Sequence, residues 1–244
     1  MSHDPLIESP NLIIKALSHP DHELLAPHLE RVPLERDDVL ARTNEHIRHM
    51  YFLEGGVASM TALSADGERT EIGVIGFESV SGHAQVLGSD RSPHETFMQI
   101  GDTHALRIES GRFAAAVEQS QSLRQIVLRL IHTSMVQMSQ SAVAYARFQI
   151  EGRLARWLLL CRDRTETDDL KLTHEFMAAM IGARRSGVTL ALHVLEGAGL
   201  IRSARGTVTI VDREKLLDLA GDSYGLAEAE YSRLIAPFGL PRSA

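Results

Sequence analysis

The stretch LTHEFMAAMIGARRSGVTLALHVLEGAGLIRSARGTVTIV, residues 172–211, carries local signals for a helix, a turn, a second helix and a hairpin. Thr173 is placed to cap a first helix in which Phe176, Ala179 and Met180 recur at i, i+3 and i+4. Gly182 interrupts that pattern where a tight turn between helices needs a residue tolerant of positive φ. A second helix starts near Arg184 and runs to the stop signal Gly197-Ala198-Gly199, with Val188, Ala191, Leu192 and Leu195 on one apolar stripe. At about 100° per residue, Ser186, Leu190 and His193 fall on the opposite face with Thr189 beside them, and Arg184 and Arg185 open it. Residues 200–202 and 207–211 can then pair across Ala204-Arg205-Gly206 as a wing. A short helix pinned on one side and headed by two arginines has the shape that enters a DNA major groove.

Charge is distributed in the same sense. Residues 147–215 hold 12 Lys and Arg against 9 Asp and Glu, whereas the whole chain holds 25 against 32. Counterion release rewards positive charge locally at phosphates, so a chain with a pI of about 5.9 can still carry a DNA-binding module beside an acidic domain. A length of 244 residues suits one or two domains with their own cores, and 44% hydrophobic with 23% charged residues is the composition of a soluble globular chain. No apolar run approaches the roughly 20 residues of a membrane span, and MSHDPLIESPN lacks a basic-then-apolar leader, so a cytoplasmic protein without membrane contact is expected. Cys161 is the single cysteine, which excludes an intramolecular disulfide and a cysteine-ligated iron–sulfur cluster within one chain. Its place in Trp157-Leu-Leu-Leu-Cys161 reads as a buried structural thiol.

The rest of the chain divides by period. The first forty residues read as helical, through Leu12-Ile13-Ile14 and a Pro20-initiated helix carrying Leu24, Leu25 and Leu29. From about 48 to 108 the signal is short strands: Met50–Leu53, a turn at Glu54-Gly55-Gly56, Val57–Leu63, a tight turn at Asp66-Gly67, and residues 70–75. Residues 97–100 and 104–108 close the series across Gly101-Asp102, which suggests a small antiparallel sandwich or roll. Helical period returns over 111–148, where Leu123, Ile126, Val127, Leu130, Ile131, Met135, Met138, Ala142 and Tyr145 sustain an apolar stripe. Such a long stripe either packs on the roll or forms a self-associating seam, and its length favours the seam. Residues 163–169 read as a polar loop, and the last twenty as a short helix with a frayed tail.

This order of elements resembles the Crp/Fnr family of bacterial transcription regulators. The sharpest matches are Ile150-Glu-Gly-Arg-Leu-Ala-Arg-Trp-Leu158, Leu172-Thr-His-Glu-Phe-Met177, Met180-Ile-Gly182 and the helix after it. The resemblance implies an α+β chain: an N-terminal antiparallel, cyclic-nucleotide-binding-like β-roll (1–118), a dimerisation helix (119–147), a winged helix-turn-helix (148–220) and a C-terminal helix or tail (221–244). It also implies a homodimer on a pseudo-palindromic double-stranded operator, with RNA polymerase as a further partner. The expected DNA-binding residues are Thr173, Arg184, Arg185, Ser186, Thr189, Leu190, His193 and Arg205. The expected dimer residues are Leu123, Val127, Leu130, Ile131, Met135 and Met138. The family's recognition helix carries Arg-Glu and a further Arg one turn on. Here those positions are Arg185, Ser186 and Leu190, so a different operator is expected, with Arg185 on a guanine edge and Leu190 on a thymine methyl.

In the roll, Gly76-Phe77-Glu78-Ser79-Val80 and Arg91-Ser92-Pro93 resemble a phosphate cassette. Arg91 and Ser92 match the phosphate pair. The ribose carboxylate is replaced by Val80, Glu78 is displaced by two positions, and Pro93 removes a backbone donor. An effector other than a cyclic nucleotide, or none, is therefore expected. No nucleophile elbow, phosphate-binding glycine loop or carboxylate metal motif is present, so neither an enzyme nor a resident cofactor is expected. His46 and His49, or His83, His94 and His104 if they met in space, would support a metal or haem sensor instead. The same residues also leave open a cyclic-nucleotide-gated regulator and an adaptor that has lost DNA binding.

Overall fold

The structure is a computed structural model that describes residues 9–65, 67–165 and 167–239. Asn11 organises the first turn. Its side-chain oxygen accepts from the amides of Ile13 (3.0 Å) and Ile14 (3.1 Å), capping α1 (Leu12–Ala16). Its Nδ2 donates to the carbonyls of Leu53 and Ser79, 2.8 Å each, tying that helix to the roll. Ser18 caps α2 (His19–Leu25), which tightens into a 3₁₀ turn over Ala26–His28.

Seven strands follow: β1 (Glu30–Leu34), β2 (Val39–Ala41), β3 (His49–Leu53), β4 (Val57–Leu63), β5 (Arg69–Ile75), β6 (Glu95–Ile100) and β7 (Thr103–Glu109), with α3 (His83–Val86) between β5 and β6. They form two antiparallel sheets, ordered β1-β7-β3 and β2-β6-β4-β5. Leu34, Leu40, Leu53, Ala58, Ile75, Met98 and Ala105 form a core cluster drawn from both sheets. Strand structure thus begins at Glu30, where the sequence reads as helical. β1 and β2 are short, largely exposed and in β1 interrupted by Pro33, so neither shows the alternation that marks a half-buried strand. The expected turn at Asp66-Gly67 involves Asp66, which lies outside the described residues, while Gly67 has the positive φ of 86° such a turn requires.

α4 (Ser110–Gln119) breaks at Ser120, which caps α5 (Gln121–Arg147) by accepting from Leu123 N at 3.2 Å. The buried Asp21 carboxylate gathers the hydroxyls of Ser18, Ser120 and Ser122 around that break. At 27 residues, α5 is about 40 Å long.

After residues 148–149, α6 (Ile150–Thr165) starts the second half, followed by β8 (Asp169–Lys171), α7 (His174–Met180), α8 (Arg185–Gly197), β9 (Ile201–Ala204), β10 (Thr207–Ile210), α9 (Arg213–Ala220) and α10 (Leu226–Leu234). Its sheet is ordered β8-β10-β9, so the wing hairpin has a third strand. Residues 163–165, read as loop, are the last turn of α6. They are buried because Asp163 accepts from Arg213 and Tyr224 and Arg164 donates to Glu78, partners that a local pattern cannot reveal. Trp157, Leu158 and Leu160 of α6 join Val188, Leu192 and Leu195 of α8 and Val57, Val74 and Phe97 of the roll in one continuous core.

Candidate nucleic-acid interface

Thr173 caps α7 as its position suggests, accepting from Phe176 N at 3.2 Å. The buried side of α7 is Met177, Ala178 and Met180, whereas Ala179 is exposed and Phe176 only half-buried. The stripe lies one residue round from the Phe176, Ala179 and Met180 reading, because the helix packs on both α8 and the roll. Gly182 takes φ +60° in the turn. Arg184 is the N-cap residue of α8, and Gly187 passes α6 so closely that a Cβ would sit 2.7 Å from Ile150 Cδ1. That approach seats α8. Val188, Ala191, Leu192 and Leu195 are all 2% exposed or less, while Arg184, Arg185, Ser186 and His193 are exposed and Leu190 is 63% exposed. Thr189 is half-buried: its hydroxyl lies 3.0 Å from His174 Nδ1 and donates to Arg185 O at 3.1 Å, linking the two helices. In the wing, Arg205 (φ +46°) and Gly206 (φ +79°) make the two-residue hairpin turn with both centres left-handed, which holds Arg205 at an exposed tip.

The roll places its cassette residues differently from a nucleotide pocket. Arg91 is exposed, donates to Asn44 O at 3.1 Å and lies 3.7 Å from Asp90. Ser92 Oγ accepts from His94 N at 3.1 Å. Val80 is fully buried beside Phe52. Glu78 turns away from the cassette, and both Nε and Nη2 of Arg164 lie 2.8 Å from its Oε1 in a buried pair. His83, His94 and His104 do not converge: among the described residues no group of three His, Cys, Asp or Glu side chains could hold a metal ion. Burial of the His83 ring pushes its pKa down to about 4. Burial raises the Cys161 thiol, in keeping with a structural role.

Two family models match in order along the chain: the cyclic nucleotide-binding domain over residues 31–120 and the Crp-like helix-turn-helix domain over residues 152–219. The chain belongs to the Crp/Fnr family of transcription regulators. Among curated relatives, the global nitrogen regulator of Nostoc sp. is 26% identical over 186 residues, 72% of this chain and 82% of that protein. The global nitrogen regulator of Synechococcus elongatus is 25% identical and covers 72% and 83% of the two chains. Among solved structures, a Crp/Fnr-family regulator from Eubacterium rectale superimposes with a TM-score of 0.67 at 18% identity, over 84% of this chain and 96% of that one. FixK2 of Bradyrhizobium japonicum gives 0.64 at 16% identity over 79% and 98%.

Within this Crp/Fnr chain, α5 corrects one expectation. Leu123, Val127, Leu130 and Ile131 are 0, 0, 1 and 8% exposed inside the protomer, in the cluster that also holds Phe113, Tyr231 and Phe238. They are consumed by the roll and the C-terminal segment and are not free for a partner copy. Met138 is half-buried and Met135 is 58% exposed. The outward line instead runs Leu128, His132, Met135, Ser139, Ala142 and Ala146, spaced alternately by four and three residues.

A buried polar network that no local motif announces joins the roll to α6. Glu71 of β5 accepts from Trp157 Nε1 at 3.0 Å and from Ser59 Oγ at 2.6 Å, with Gln99 beside Ser59 and donating to Cys161 Sγ at 3.3 Å. Burial pushes the Glu71 carboxyl up to about 7, against the pull of Ser59, Trp157, Arg156 and Arg164. Tyr145 OH of α5 lies 2.6 Å from Glu71 O and 3.0 Å from Met180 O, so the long helix touches roll and helix-turn-helix at one atom.

Proposed function

We propose that this regulator acts as a homodimer whose two α8 helices read half-sites of a pseudo-palindromic operator. The observation that carries this reading is the division of α8 into a fully buried stripe and an open face headed by Arg184 and Arg185. Arg185 is suited to a guanine edge and the exposed Leu190 to a thymine methyl, while Ser186 and His193 flank them. Thr173 at a helix N-terminus and Arg205 on the wing are placed for phosphates. Thr189 contributes by holding α7 to α8. The outward line of α5 from Leu128 to Ala146 is the seam, with Met135 at its centre and small residues towards its C-terminal end that permit close helix approach. RNA polymerase is the partner such a dimer would address from a promoter.

The roll is read as a sensor whose ligand is not a cyclic nucleotide. A nucleotide phosphate could reach Arg91, but its ribose hydroxyl would meet the apolar Val80, and Glu78 is engaged by Arg164.

Selection of bound duplexes from a random pool, followed by salt-dependent titration, tests the DNA reading. Recovery of a two-fold-symmetric site with half-sites about 10 bp apart supports it, and binding without sequence preference overturns it. Titrating cyclic AMP and cyclic GMP into the pure protein tests the sensor. Micromolar binding coupled to about a tenfold gain in operator affinity would restore nucleotide gating.

A further inference from the structure

Residues 221–239 lie beyond both matched domains, yet they touch every part of the chain. Where the sequence suggests a frayed tail, α10 lies along α5: Arg129 Nη1 donates to Leu234 O at 3.3 Å, and His132 Nε2 lies 2.9 Å from Glu230. Tyr231, 3% exposed, donates to Glu78 O of the roll at 2.6 Å. Phe238, 8% exposed, packs edge-on to Phe77 at 5.7 Å and Tyr231 at 5.6 Å, with the Arg164 guanidinium 5.1 Å from its ring centre. It thereby covers the Arg164–Glu78 pair. Both ends of the segment are tied to the second half of the chain: Arg156 Nε donates to Ser223 O at 2.8 Å, and Arg213 Nη2 donates to Gly239 O at 3.2 Å.

The segment stands over a junction that occupies the helix-turn-helix. A Cβ on Gly182 would lie 3.6 Å from Thr70 Cγ2 of β5, and Tyr145 OH bridges Glu71 and Met180 carbonyls. Phe176 of α7 leans on Trp157 and carries Arg36 of the roll 5.7 Å from its ring centre. The first helix of a DNA-reading pair crosses the phosphate backbone, and here it is engaged by its own sensor.

We propose that residues 221–239 are an autoinhibitory latch. Docked, they hold α7 and its turn on the roll of the same protomer. Released, they let the pair of helices settle on DNA. Only the DNA half of this proposal rests on α8 being the reading helix. The latch itself has an independent reporter, because Trp157 is the single tryptophan and bonds Glu71 at the junction.

The full-length protein is compared with Phe238→Ala, which empties the latch pocket, and Tyr231→Phe, which keeps the ring and removes one hydrogen bond. Both variants are expected to red-shift Trp157 emission and to speed amide exchange in α7 and β5 while leaving α8 protected. On a duplex selected with the parent protein they are expected to bind about threefold or more tightly, Phe238→Ala more than Tyr231→Phe. Unchanged emission and exchange in both variants overturns the latch. A loosened junction with equal or weaker DNA binding overturns autoinhibition. A parent that selects no duplex overturns the DNA reading and the inhibitory role with it, while the tryptophan and exchange results still decide the latch.

Discussion

The helices α5 and α8 both carry an apolar stripe, and the two stripes meet different fates. On α8 the stripe legible in the sequence, Val188, Ala191, Leu192 and Leu195, is the stripe that is buried, and the opposite face is polar apart from Leu190 and Val194. On α5 the legible stripe splits. Leu123, Val127, Leu130 and Ile131 vanish into the protomer, while Leu128 and Met135, on another face, are 50% and 58% exposed. A short helix with one apolar side has one way to pack. A helix of 27 residues that is apolar on more than one side has several, and its period does not say which side meets its own roll and which meets a second copy.

Changes on α5 should break this comparison most sharply. Ile131→Asp would leave an unpaired charge in the protomer core at a cost of several kcal/mol, so denaturant unfolding should show a destabilised fold. Met135→Asp should keep the parent's unfolding midpoint and sediment as a monomer. A folded monomer from Ile131→Asp together with an intact dimer from Met135→Asp would reverse the assignment of the two stripes.

The junction between the halves comes next. The folded pKa of Glu71, about 7, lies above the ordinary 4.5, so between those values the native state holds a proton that the unfolded chain releases. Stability from this group therefore falls as pH rises from about 4.5 to 7, and the penalty is complete above that window. Tyr145, Arg156 and Arg164 face the same carboxyl, and Glu71→Gln leaves them in place. This variant should lose that component of the pH dependence and exceed the parent in stability above neutrality, as read from urea midpoints across the window. A parent whose midpoint rises through the same window would contradict the buried, protonated carboxyl.

On α8 the effects should be smaller and confined to DNA. Arg185→Ala should weaken binding to a selected operator by about 1–3 kcal/mol and relax one base position per half-site. Leu190→Ala should cost about 1 kcal/mol and abolish the operator's preference for thymine over uracil at one step, since the two bases differ only in the C5-methyl. Wild-type indifference to that replacement would remove Leu190 from the reading face.

What the sequence by itself determined is the part written in neighbouring residues. Thr173 bonds an amide three residues on, Gly182 adopts the turn geometry within its own backbone, and the α8 stripe is closed by a short, nearby segment of chain. The tertiary structure decided the rest. Glu71 and Trp157 are 86 positions apart, Glu78 and Arg164 another 86, and Tyr231 reaches Glu78 across 153. Residues such as Asp163, Arg164 and Glu78 read as solvated because a charge is costly to bury alone, and only the fold supplies the distant partners that remove the cost. For the same reason the C-terminal segment, polar and short in sequence, becomes ordered only where α5, the roll and α6 together offer it a surface.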